Sequence, residues 1–193
     1  MSENKFKKSK YVFVTALENK EKVSDFFTDL FSISYIYEVN NTFVYKLVSD
    51  ENYMLEDIFD SLLVDFGFNI SLFETNYVQK ESDVYQLLDI YIRFNKRLYA
   101  NISSLIMDLM KEDQKALLTI RNIVMYQIDK DSDLKNIILA MYKNDLNVSK
   151  TASSVYMHRN TVINKLDLIK KTSGMDVQKF YDAIALYNLM YLK

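Results

Sequence analysis

The sequence contains no proline, and glycine stands only at positions 67 and 174. A chain so poor in the residues that punctuate folds offers few turn signals, so its element boundaries must come from hydrophobic periodicity. Tyr11-Val-Phe-Val-Thr-Ala-Leu17 is short, β-branched and aromatic, and is expected to be a strand. Residues 20–32 place Val23, Phe26, Phe27, Leu30 and Phe31 on one helical face. Two strand-like runs, Ile33 to Val39 and Thr42 to Val48, flank Asn40-Asn41. Asparagine tolerates the positive φ of two-residue hairpin turns, so this stretch is expected to be a β-hairpin. Residues 53–66 form a second helix with Leu55, Ile58, Phe59, Leu62 and Leu63 inward. Gly67 stands where a left-handed residue would end it, and Phe68 to Val78 closes the series as a strand. The order β-α-β-β-α-β is that of ferredoxin-like domains, with four antiparallel strands and both helices on one face. That architecture hosts many functions and specifies none.

From Ser82 onward the pattern is helical. Residues 82–112 are expected to form one long linking helix, because Val84, Leu88, Tyr91, Asn95, Leu98, Ile102, Leu105 and Leu109 alternate steps of four and three. That is the spacing of a coiled-coil seam with Asn95 at a core-like position. Leu87, Ile92, Ile106 and Met110 widen the apolar face, which equally suits a helix packed on its own domain. The fold class is therefore α+β: a small α/β domain over 1–80 for sensing or dimerisation, linking helices over 81–130, and an all-α domain over 131–193.

Charge divides the chain unevenly. Residues 1–119 hold 13 Lys/Arg against 19 Asp/Glu, and residues 120–193 hold 11 against 7. The net charge of −2 thus hides a basic C-terminal segment, where a polyanionic partner is expected. Within it, residues 134–144 are amphipathic, with Leu134, Ile137, Ile138 and Met141 inward. Asn147 is a good N-cap for a short helix at about 148–155, and Ala152 is small enough for another helix to cross closely. Val155, Tyr156 and Met157 make a turn. A third helix opens at His158 or Arg159, buries Val162, Leu166 and Ile169, and stops at Gly174. The rest of its surface is Arg159, Asn160, Thr161, Asn164, Lys165, Lys170 and Lys171. Arginine pairs bidentately with guanine, asparagine with adenine, and threonine packs on the thymine methyl, so this surface suits the major groove of DNA.

Residues 147–166, Asn-Val-Ser-Lys-Thr-Ala-Ser-Ser-Val-Tyr-Met-His-Arg-Asn-Thr-Val-Ile-Asn-Lys-Leu, resemble the C-terminal helix-turn-helix of PucR/CdaR-type bacterial regulators. The run His158 to Val162 is the most characteristic part, and Thr172-Ser-Gly-Met-Asp176 and the apolar helix Phe180 to Leu192 also match. Ile163 and Asn164 depart from the pattern, which commonly has a basic and an aromatic residue there. The resemblance implies a transcription regulator in which Arg159, Asn160, Thr161 and Lys165 meet DNA. It also implies that residues 1–80 are a reduced version of the GGDEF-like domain found ahead of the helix-turn-helix in many relatives.

The expected DNA-binding set is His158, Arg159, Asn160, Thr161, Asn164, Lys165, Lys150 and Lys170. The expected partners are double-stranded DNA, a second copy of the chain and an unidentified small-molecule effector. The rival function is an interaction module that keeps the helix-turn-helix shape without binding DNA. The chain has no cysteine and one histidine, so no thiolate or multi-histidine metal site is expected, and no cofactor. The acidic pairs Asp50/Glu51 and Asp57/Asp60 are expected to be solvated faces rather than catalytic carboxylates. Two glycines cannot build a phosphate-binding loop, and no enzyme is expected. No apolar run approaches the ~20 residues of a membrane helix, and Glu18 interrupts the signal-like start. A cytoplasmic protein is expected.

Overall fold

The computed structural model describes residues 9–31, 34–47, 55–66 and 70–192. The chain forms two compact units, Met1–Leu105 and Ile106–Lys193. The first opens with β1 (Tyr11–Ala16), α1 (Lys20–Phe31), β2 (Ser34–Val39), β3 (Thr42–Lys46), α2 (Leu55–Phe66) and β4 (Ile70–Glu74). This is the β-α-β-β-α-β order expected from periodicity. The hairpin turn is made by Asn40 (φ 49°) and Asn41 (φ 64°), the left-handed pair that joins β2 to β3. The position expected of Gly67 lies outside the described residues, as do Asp50, Glu51 and the side chains of Asp57 and Asp60.

The sheet runs β2-β3-β1-β4-β5. The pairs β1/β3, β1/β4 and β2/β3 are antiparallel, and the β2/β3 register shifts between Tyr35 and Tyr37. β1 is central, and Val12, Phe13, Val14 and Ala16 are all fully buried. A strand apolar at consecutive positions must be covered on both faces. One face, with Val12, Val14, Phe43, Tyr45, Ile70 and Leu72, packs against Val23 and Phe27 of α1 and Leu55, Phe59 and Leu62 of α2.

The opposite face is covered by α3 (Glu81–Phe94), within the stretch whose widened apolar stripe suited a helix packed on its own domain. The single helix expected over 82–112 is not formed. In its place stand α3, β5 (Tyr99–Asn101) and α4 (Ile102–Leu109). Asn95 caps α3 and leaves the helix with ψ 123°. Its amide Nδ2 donates to the carbonyl of Arg97 (2.8 Å), and its Oδ1 accepts from the Arg97 N–H (3.3 Å). Side chain and backbone thus close a local turn that competes with the helix. The released chain adds Tyr99–Asn101 parallel to β4 as β5. Asn101 and Ser104 then bond reciprocally to start α4. The coiled-coil seam with Asn95 inside it is therefore corrected: Val84, Leu88, Tyr91, Ile102, Leu105 and Leu109 are buried, while Leu98 is exposed.

Tyr91 fixes α3 on the second face. Its ring lies 5.8 Å from that of Phe13 and 5.2 Å from that of Phe73. Its hydroxyl bonds to Ser71 (2.8 Å) and Thr15 (3.2 Å), polar residues that the strand alternation turns to the same face. Tyr91→Phe is expected to cost about 1 kcal/mol, the size of one net hydrogen bond. Tyr91→Ala is expected to cost about 3–5 kcal/mol through the cavity it leaves. Urea unfolding of the two variants checks both, and an unchanged Tyr91→Ala protein would refute this account of the second face.

Candidate nucleic-acid interface

The second unit continues with α5 (Gln114–Val124), a short 3-10 turn at Ile128–Lys130, α6 (Ser132–Lys143), α7 (Val148–Ser154), α8 (Arg159–Ser173) and α9 (Phe180–Tyr191). Helices α6, α7 and α8 pack on one another, and α9 packs on α6. Their buried stripes are the expected ones: Leu134, Ile137, Ile138 and Met141 on α6, and Val162, Leu166 and Ile169 on α8. Ala152 is 4% exposed on α7, the short helix that packs on both α6 and α8, where a larger side chain would overfill the contact.

Each helix start in this trio is capped by a side chain. The Asp131 carboxylate accepts from the N–H groups of Asp133 (2.9 Å) and Leu134 (3.3 Å) at α6. Asn147 Oδ1 accepts from Ser149 and Lys150 at α7, both at 3.0 Å. His158 Nδ1 accepts from the Asn160 N–H (3.2 Å) at α8. Each cap satisfies backbone donors that a helix start leaves without partners. At its far end α8 stops on Gly174 in the left-handed conformation, φ 78°.

Two helices joined through a tight turn, the second exposing a polar face, constitute a helix-turn-helix domain. Residues 134–191 match the family model of the PucR C-terminal helix-turn-helix domain, and this part of the chain is a domain of that type. The whole chain is similar to the crystal structure of a regulator of polyketide synthase expression from Bifidobacterium adolescentis. The TM-score is 0.50 and the identity 12%, over 96% of this chain and 80% of that one. At that identity the likeness concerns the fold alone. No curated protein matches the chain.

The eight residues expected to meet DNA separate into three groups. Arg159, Asn160, Thr161 and Asn164 are exposed, and among the described residues no partner occupies their side chains. At 3.6 residues per turn, Asn160 and Asn164 lie opposite the buried stripe, and Arg159 and Thr161 flank them in the first turn. His158 and Lys150 are exposed near the starts of α8 and α7, with the Lys150 ammonium 4.0 Å from Asp145. Lys165 and Lys170 are engaged within the domain. Lys165 Nζ lies 3.1 Å from Asp131 and 3.3 Å from Asp133, and Lys170 Nζ lies 2.9 Å from Asp176. The sequence carried a sign of this for Lys165. It stands three residues after Val162 and four before Ile169, on the flank of the buried stripe. Asp167, also exposed, shares the outward face and opposes a polyanion along the second half of α8.

Among the described residues no group of three or more acidic or histidine side chains is placed to hold a metal ion. Nor, among them, is any helix long and apolar enough to cross a membrane.

The Lys165 ammonium holds the Asp131 carboxyl below its ordinary value; burial opposes this, and the Leu134 and Asp133 N–H groups add to the lowering. At Asp176 partial burial pushes the carboxyl up, but the Lys170 ammonium and the Gln178 N–H pull it down further. A carboxylate depressed in the folded state stabilises it above the unfolded value, near 3.9, and that contribution is lost as pH falls through the folded value. The C-terminal unit should therefore lose stability progressively below about pH 4. Asp131→Asn keeps a capping oxygen and removes the charge, so it should flatten this acid limb and lower stability at neutral pH by about the amount the limb loses. Thermal melts from pH 7 to pH 2 check both, and a variant with an unchanged acid limb would sink the assignment.

Proposed function

We propose that the protein is a transcription regulator that binds double-stranded DNA by placing the helix from about 158 to 172 in the major groove. The observation that carries this reading is the set of four exposed, unpartnered side chains, Arg159, Asn160, Thr161 and Asn164, on a helix whose other edge is buried. A face of free donors and acceptors has no role in holding the domain together, yet its chemistry is that of base-edge recognition. Arg159, Asn160, Thr161 and Asn164 contact base edges. His158 and Lys150 contact phosphate near the helix starts, and Lys170 does so by exchanging Asp176 for DNA. Lys165, tied to Asp131 and Asp133, holds α8 at its angle. Asp167 confines close contact to the first two turns of α8.

One such helix covers too few base pairs to select a site in a genome, so the acting species is a homodimer on half-sites about one helical turn, ~34 Å, apart. The α/β unit of residues 1–105 serves dimerisation or sensing of a small molecule, and residues 106–130 link it to the DNA-binding domain of 131–193. The protein works in the bacterial cytoplasm and carries no catalytic centre.

Binding of the full chain to a duplex selected from a random pool should weaken steeply with salt, by about −0.9 in log–log slope per phosphate contacted. Arg159→Ala should cost roughly 1–3 kcal/mol and relax the preference at one base pair. Lys150→Ala should weaken binding to all sequences alike, and Asp167→Asn should strengthen it for all. A wild type that binds no duplex at low salt would leave the interaction-module reading standing instead. Sedimentation of the full chain at micromolar concentration checks the dimer, and a monomer there would refute it.

A further inference from the structure

The turn between α7 and α8 places two unfavourable features on one residue. Tyr156 has φ 56°, in the left-handed region. Its side chain is 96% exposed, more than that of any other large hydrophobic residue described. The backbone explains the first feature. Met157 N–H donates to Ala152 O (3.0 Å) and Tyr156 N–H to Ser153 O (3.4 Å), the paired bonds that close a helix through a left-handed residue. Glycine takes that conformation without strain, and asparagine tolerates it. Tyrosine brings a β-carbon that opposes it.

Nothing in the fold accounts for the ring. The other exposed aromatics of this unit each have a neighbour. Tyr126 lies under the Lys130 ammonium, Tyr142 stacks on Tyr187, Phe180 meets Tyr181, and Tyr191 meets Tyr187. Among the described residues Tyr156 touches no ring, cation or hydrogen-bonding side chain. It is nevertheless held at a fixed corner, two residues before the His158 cap of α8.

We propose that Tyr156 is a DNA-backbone contact, its phenol donating a hydrogen bond to a phosphate oxygen beside the groove that α8 enters. The proposal rests on the DNA-binding reading above. Tyrosine hydroxyls commonly bond to phosphate, and such bonds fix the register of a protein on its duplex. A rigid ring at a closed turn supplies that bond with little loss of freedom. Because the phenol is neutral, its contact releases no counterion, unlike that of a lysine.

The test measures affinity of the full chain for a duplex selected by the wild type, across a range of salt, together with thermal melting and sedimentation. Tyr156→Phe removes only the hydroxyl. It should weaken binding about five-fold, one hydrogen bond's worth, with an unchanged salt slope. Lys150→Ala, by contrast, should reduce the slope by about 0.9. Tyr156→Asn suits the left-handed turn, so it should melt no lower than the wild type and still lose at least as much affinity as Tyr156→Phe. Wild-type affinity in both variants overturns the proposal. So does a loss confined to Tyr156→Asn and matched by a lower melting temperature, or an effect on sedimentation without one on DNA. A wild type that binds no DNA fails at the underlying reading, before either variant is compared.

Discussion

What α8 presents outward depends on how its inner edge is held. Val162, Leu166 and Ile169 seat the helix against α6 and α7, and the small, buried Ala152 leaves room in α7 for close packing. Beside that apolar contact Asp131 has two tasks. One carboxylate oxygen closes the start of α6, and the other takes the Lys165 ammonium from α8. The start of one helix and the middle of another are thus tied to the same side chain. A surface ion pair contributes little stability by itself. Its value here is geometric, because a rotation of α8 that exposed Lys165 would also bury Asn160 or Asn164.

The scarcity of glycine is met by other residues in left-handed conformations. Asn19, Asn40, Asn41 and Asp145 have positive φ, and polar side chains of this size tolerate it. Leu146 and Tyr156 also have positive φ without that excuse, and both lie in the turns that bound α7. The helix-turn-helix is accordingly the most strained part of the described backbone. Strain of this kind persists only where surrounding contacts over-determine it. Here those contacts are the Leu146 N–H bond to the Met141 carbonyl before α7, the paired carbonyl bonds at its end and the Asn147 cap.

The fold was legible wherever periodicity was local. The β-α-β-β-α-β order, the Asn40-Asn41 turn, the Asn147 cap and the Gly174 stop follow from neighbours within a few residues. Residues 82–112 were not legible, because their heptad spacing is satisfied in two ways. Val84, Leu88 and Tyr91 cover the second face of the sheet, and a side-chain turn at Asn95 then breaks the helix. The spacing describes the apolar stripe but does not say whether the chain between its halves stays helical. In the candidate site, residue types identified the polar face of α8. The engagement of Lys165 depended on Asp131 and Asp133, more than thirty residues away, and only its place beside the buried stripe hinted at it. Tyr156 passed as an ordinary turn residue, since exposure and φ are not written in sequence.

The register shift in β2 has a consequence for crowded solution. Among the described residues β2 and β5 are the two borders of the sheet, and β5 is only three residues long. β2 is longer and, if straight, would offer a row of unpaired backbone groups on which another chain could align. The irregularity between Tyr35 and Tyr37 breaks that row in the middle of the strand. Such breaks bend and twist an edge, so that successive donors and acceptors no longer point the same way. The sheet is thereby a poor seed for strand-by-strand growth, which protects a chain whose central strand is apolar on both faces.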